Sequence, residues 1–180
     1  MAFNASKLDW NAIDEAGGGS KLLPAGGYVA TIVGGEDIER SEYMRFTYDI
    51  AEGAHKGFFA DDDRDYTHQF TRSYTAKALP FMKRFLKCVE ASTPGFDMNK
   101  WSGDPSALVG LTVGIIVQRE DYTNKSGEDR ARMNVEDFAS ADDIRNGRYK
   151  LPEPKDTREH KPETTHAAST GALYDADIPF

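Results

Sequence analysis

The sequence holds a single cysteine, Cys88, in 180 residues. That excludes an internal disulfide framework and any metal site built from several thiolates. Histidine is also scarce. His55, His68, His160 and His166 are scattered, and no pair has the spacing that sets two ligands on one helix face. No apolar run is long enough to cross a bilayer as a helix, and the first residues lack the pattern of a secretory signal. We therefore expect a soluble, cytoplasmic protein with no membrane contact. Positive charge is in short supply, with 22 Lys and Arg against 30 Asp and Glu and a formal net charge of −8. This excludes a protein that coats a polyanion by its overall field. The last 30 residues carry three cations against six carboxylates, so the first 150 are acidic as well. Apolar residues make up 39%, low for a chain packed throughout, and part of it is expected to lie outside the core.

The residues that could support catalysis do not assemble into a pattern. Asp61-Asp62-Asp63 and Asp65 lack the glycine and distal glutamate of a calcium loop and read as an acidic surface loop. Gly17-Gly18-Gly19-Ser20-Lys21 follows no strand and lacks phosphate-loop spacing. Cys88 falls within an apolar helical pattern and reads as a structural thiol. We expect no catalytic residues, no metal and no cofactor.

What is present is strand periodicity. Residues 1–26 form an irregular arm, with Leu8, Trp10 and Ile13 as apolar points and Gly17–Gly19 as a break. Trp10 is expected to pack on the domain, with a stacking role as the alternative. Tyr28–Gly35 reads as a first strand. In Glu42–Ile50, Met44, Phe46, Tyr48 and Ile50 alternate with Tyr43, Arg45, Thr47 and Asp49, so one face is apolar. A third strand region spans Phe58–Tyr74. There Tyr66, His68, Phe70, Arg72 and Tyr74 share one parity, and whether that face is core or surface stays open. The period then becomes helical: Ala78, Phe81, Met82, Phe85, Leu86 and Val89 form a stripe, with Pro80 in the first turn. Leu111–Arg119 and Arg130–Phe138 read as strands four and five, joined by the hairpin loop Asn124-Lys125-Ser126-Gly127. In the fifth, Ala131, Met133 and Val135 are expected inward.

Three strands, one helix and two strands give a mainly β chain in the order of a five-stranded OB-type barrel, with the helix between strands 3 and 4. The expected division is an arm over 1–26, an OB-fold domain over 27–149, a disordered linker over 150–173, and a tip over 174–180. The linker assignment rests on Pro152, Pro154 and Pro162 in a polar run without an aromatic until Tyr174.

The sequence closes on Tyr174-Asp175-Ala176-Asp177-Ile178-Pro179-Phe180. A solvated terminal Phe leaves roughly 1.5–3 kcal/mol of burial for a partner to supply. Asp175, Asp177, Ile178, Pro179 and Phe180 suit an apolar slot with a basic rim. The ending resembles the C-terminal tip of bacterial and phage single-stranded DNA-binding proteins, an acidic run closing on Asp-Ile-Pro-Phe. The barrel region also resembles a phage family labelled as a domain of unknown function and found near recombination genes. The resembling pieces are Leu22–Tyr28, Phe46–Gly53 with Lys56-Gly57, and Leu108-Val109-Gly110.

The resemblance implies an OB-fold protein of phage DNA replication, recombination and repair in the host cytoplasm. It would bind single-stranded DNA without sequence preference and recruit replication or recombination proteins through the tip. OB barrels bind across strands 2 and 3 and the flanking loops. On that basis the candidate DNA-binding residues are Tyr43 and Arg45 on strand 2; Lys56 in the following turn; Tyr66, Arg72 and Tyr74 on strand 3; and Tyr122, Lys125, Arg130 and Arg132 on the fourth and fifth strands and their hairpin. The alternatives are an OB-like recruitment or decoy protein with little DNA affinity, and a strand-annealing protein. Homo-oligomerisation stays open.

Overall fold

The computed structural model describes residues 22–159. The expected arm before Leu22, most of the linker and the whole tip, including Asp175, Asp177, Ile178, Pro179 and Phe180, lie outside the described residues.

The chain is mainly β with one principal helix. The strands are β1 (Gly26–Ile38), β2 (Tyr43–Ile50), β3 (Gln69–Ser73), β4 (Thr112–Thr123), β5 (Asp129–Ala139) and β6 (Lys155–Thr157). The helices are α1 (Leu79–Ser92), between β3 and β4, and the short α2 (Ala141–Arg145). The sheet order is β3-β2-β1-β4-β5, with β6 pairing β4 off that path. The five-strand-plus-helix order expected from periodicity is thus present.

β1 serves both halves of the sheet. Gly26–Thr31 pairs antiparallel with β4, and Ala30–Ile38 pairs antiparallel with β2. Between Ile32 and Gly34 the register shifts, leaving Val33 as an extra, outward residue. Such a bulge raises local twist and lets a strand turn a corner. Beyond it, backbone from the 3-10 turn Pro105–Leu108 lies directly on β1. A Cβ on Gly35 would stand 2.6 Å from the Pro105 carbonyl oxygen, so only glycine fits without displacement.

The apolar face of β2 packs as its alternation dictates: Met44, Phe46, Tyr48 and Ile50 are all buried. Phe70 of β3 is buried as well, as is His68 just before the strand, which makes that parity the core face. From α1, Met82, Phe85, Leu86 and Val89 enter the core at helical spacing. Phe81, expected in that stripe, is 64% exposed. The buried stripe is centred one residue further on, which leaves Phe81 at its edge. The expected third strand is shorter than its reading, because residues 52–61 form turns. That segment is pinned by Asp49, whose carboxylate accepts the Phe59 amide at 3.0 Å.

β4 is buried on both faces. Val113, Ile115 and Val117 face the main core, while Ile116, Gln118 and Glu120 are covered from outside. The cover comes from α2 and the chain that follows it. Ser140 caps α2 and Asp143 answers it, with Ser140 Oγ accepting the Asp143 amide at 3.1 Å and donating to its carboxylate at 2.8 Å. Part of the segment expected as linker from 150 is tied to β4. Gln118 Nε2 donates to the Pro152 carbonyl, and Lys155–Thr157 runs parallel to Glu120–Tyr122 of β4. The prolines of this segment do not interrupt that pairing, since the three strand residues contain none.

No hydrogen-bonded ladder joins β3 to β5 among the described residues. Side chains bridge this seam instead. Phe70 and Phe138 lie 5.0 Å apart, and both contact Phe85 of α1, at 5.4 and 4.9 Å.

His68 sits in the core beside this cluster, stacked on Phe59 at 4.7 Å with its Nδ1 3.0 Å from Thr67 Oγ1. Burial pushes its pKa down, against the opposing pull of Asp62, Asp65 and Asp49. The unfolded chain then takes up a proton below the ordinary histidine value of about 6.5 while the folded chain does not, so stability falls as pH drops through that range. Urea titrations between pH 7 and pH 5 should show a steeper loss for the native protein than for His68→Gln. Equal slopes would remove His68 as the cause.

Candidate nucleic-acid interface

A polar groove follows the β3–β5 seam. On one side it is lined by the consecutive residues Gln69–Arg72 of β3, and on the other by Ala131–Glu136 of β5. Both parities of each strand contribute because the groove runs along strand edges. Its volume is about 710 Å³. Arg45 enters from β2, Tyr66 from the 3-10 turn Asp65–Thr67, Tyr122 from β4 and Lys155 from β6.

Five of the ten candidate residues therefore come together: Arg45, Tyr66, Arg72, Tyr122 and Arg132. They lie at the seam and not across the outward face of β2 and β3, where the fold type led us to expect them. Tyr66 precedes the strand it was assigned to and is 68% exposed. Tyr43 is outside the groove but touches it through Arg45, whose Nη2 donates to the Tyr43 hydroxyl at 3.2 Å. Tyr74 lies elsewhere. Its hydroxyl donates to Asp37 at 3.0 Å, and its ring lines an apolar hollow with Met44, Leu79 and Trp101. Lys56 is exposed in the turn after β2, and Lys125 is exposed in the hairpin loop. Arg130 is exposed and paired with Glu128 at 2.7 Å.

The sequence reading missed Gln69, Thr71, Asn134 and Lys155, which also line the groove. Gln69 and Thr71 lie on the strand whose facing was open, and that parity could have identified them. For Lys155 no local signal exists, since its position depends on β6 pairing with a strand over 30 residues earlier.

Most of the groove's cations are already held. Arg45 pairs with Glu36 at 3.4 Å and Lys155 pairs with Glu136. Arg132 donates to Glu120 at 2.8 Å, and its guanidinium carbon stands 4.7 Å from the centre of the Tyr122 ring. Glu120 is nearly buried and also accepts from Asn134 and from Thr157 Oγ1. The Arg132 hydrogen bond, reinforced by Asn134 and Thr157, holds its carboxyl below the ordinary range against the opposing cost of burial. One carboxylate thus ties β4, β5 and β6 together under the hairpin.

Arg72 differs from the others. Its guanidinium carbon lies 4.2 Å from the centre of the Phe138 ring. Its Nε is buried and has no hydrogen-bond partner among the described residues. Burial pushes its pKa down to about 10, with Asp137 pulling the other way. It remains cationic at neutral pH, held at the floor of the seam mostly by a ring face.

Among the described residues no group of three or more His, Cys, Asp or Glu side chains is placed to hold a metal ion. No helix among them is long and apolar enough to cross a membrane. Asp62, from the acidic run, is committed to Arg64 at 2.8 Å and Thr67 at 3.0 Å. Cys88 is half-buried on α1, and burial raises its thiol pKa. No protein-family model matches the chain, and no curated protein matches it.

An unsatisfied buried donor costs about 1–3 kcal/mol, while a cation–π contact returns about 0.5–2 kcal/mol. The two nearly cancel at Arg72. Arg72→Met should leave the urea midpoint unchanged or raised. A midpoint lowered by the equivalent of more than about 2 kcal/mol, the upper end of that contact's worth, would assign Arg72 a structural role.

Proposed function

We propose that this protein binds single-stranded DNA without sequence preference along the β3–β5 seam. The observation that carries this reading is the convergence, from six separate segments, of two accessible tyrosines with three arginines and a lysine in one elongated groove. Tyr66 and Tyr122 are the stacking platforms. Base stacking on an aromatic contributes ~1–3 kcal/mol per base and tolerates any sequence, because every base has a π-face. Arg45, Arg72, Arg132 and Lys155 meet the backbone. An elongated open groove suits an extended single strand, and its rim is too narrow in charge to hold a duplex by field alone on a chain of net charge −8.

Partner recruitment through Asp175, Asp177, Ile178, Pro179 and Phe180 completes the reading, supported by the resemblance of those residues to single-stranded DNA-binding proteins. A second reading has one observation in its favour. Arg45, Arg132 and Lys155 are each neutralised by a carboxylate, as suits an OB-like scaffold that displays its tip and barely touches DNA. The two readings separate at the groove.

Fluorescence titration of a labelled poly-dT oligonucleotide at two salt concentrations, with duplex of equal length as competitor, decides between them. Preference for the single strand and weakening with salt are expected, as counterion release requires. Tyr66→Ala and Tyr122→Ala should each weaken binding by ~1–3 kcal/mol. Absence of binding at micromolar protein would leave the scaffold reading.

A further inference from the structure

A second groove lies between α1 and the chain around α2, with a volume of about 700 Å³. Five cations line it, Lys83, Arg84, Lys87, Arg148 and Lys150, against two carboxylates, Asp137 and Asp143. All five cations are exposed. Arg84 is matched by Asp137 at 2.8 Å and Arg148 by Asp143 at 2.9 Å. Lys83, Lys87 and Lys150 have no ion pair among the described residues. On a chain of net charge −8 this concentration of unmatched positive charge is anomalous. Gathering like charges on one surface raises the energy of the folded state, so it calls for an anionic occupant.

The two grooves share no lining residue but approach each other at one ring. Phe138 lines the second groove, and Arg72 of the first lies over its face at 4.2 Å. Asp137, the next residue, places Arg84 at the junction. Lys83 and Lys87 stand one helical turn apart on α1, about 6 Å along its axis, which is of the order of the spacing between successive phosphates in an extended strand. Tyr149 and Phe138 add ring surface to the floor.

We propose that the α1–α2 groove is a second phosphate track, which receives the single strand as it leaves the seam past Arg72. This rests on the seam reading above. The strand then turns from β5 onto the outer side of α1, with Lys83, Lys87 and Lys150 each meeting a phosphate. Lysine suits this role because its compact ammonium acts as a point charge and needs no fixed geometry.

The experiment compares the native protein with Lys83→Ala/Lys87→Ala/Lys150→Ala on two dT oligonucleotides, one of roughly 6 nucleotides and one of roughly 30, chosen around the site size of a single OB fold. The longer oligonucleotide should lose affinity in the triple variant, with the slope of log K against log salt reduced by about 2, at ~0.7 per phosphate. At about 0.1 M salt that release term corresponds to roughly a hundredfold. The short oligonucleotide should bind both proteins alike. The corresponding Lys→Arg triple variant should restore the longer-strand affinity, which separates lost charge from lost folding.

A triple variant that binds the long strand as the native protein does would overturn the second track and leave the seam reading intact. Native protein that binds neither oligonucleotide would overturn both. Poly-glutamate serves as a third arm. If it binds the native protein through these lysines without displacing the oligonucleotide, the groove belongs to an acidic polypeptide and the proposal fails.

Discussion

Four phenylalanine rings hold together what the backbone leaves open. Phe46 of β2, Phe70 of β3, Phe85 of α1 and Phe138 of β5 meet in pairs at 4.9–5.4 Å. Each ring contact is worth about 0.5–1.5 kcal/mol beyond the area it buries. Because no ladder crosses from β3 to β5, these rings and α1 set the width of the seam. The candidate binding groove is the outer side of that arrangement. Its floor is core, and its walls are two strand edges whose backbone groups have no neighbouring strand between them.

The electrostatics of the groove follow from the chain's composition. An acidic protein that gathers arginines at one place neutralises them locally, and Glu36, Glu120 and Glu136 do so. Glu120 has a structural task besides, since its partners span β4, β5 and β6. A phosphate entering here must compete with carboxylates for Arg45, Arg132 and Lys155. Arg72 feels only the pull of Asp137 without an ion pair to it, and the lysines of α1 have no ion pair among the described residues. Positive charge is therefore least matched at the inner end of the seam and beyond it, and most matched near the hairpin.

Much of the fold was legible because alternation and helical period are local. Met44 to Ile50 declared both the strand and its buried face, and Met82, Phe85, Leu86 and Val89 declared the helix. The hairpin was legible from Asn124 and Gly127; Asn124 Oδ1 accepts the Ser126 and Glu128 amides, and Gly127 takes a positive φ of 78°. The facing of β3 was not, because Phe70 and Arg72 share a parity and only packing against α1 decides it. α2 left a trace in Ser140 and Asp143, three apart, that the reading passed over. β6 left none. Half of the residues singled out by residue type and strand parity line the groove. Tyr43, Lys56, Tyr74, Lys125 and Arg130 lie outside the groove, because aromatic or basic character on an adjacent strand or loop does not say which edge the sheet leaves open.

β6 also bears on association. β1 leaves β4 after Val117, which strips one side of Gln118–Thr123 of a neighbour. A bare strand edge next to a hairpin is a template for pairing with a second chain. β6 occupies that edge at Glu120–Tyr122, and it is itself three residues long with a charged Lys155 and Asp156, a poor template for further strands. The chain thus caps its own edge with a piece of itself. Self-assembly by sheet continuation is closed off on this side, and any pairing of copies would have to use another surface.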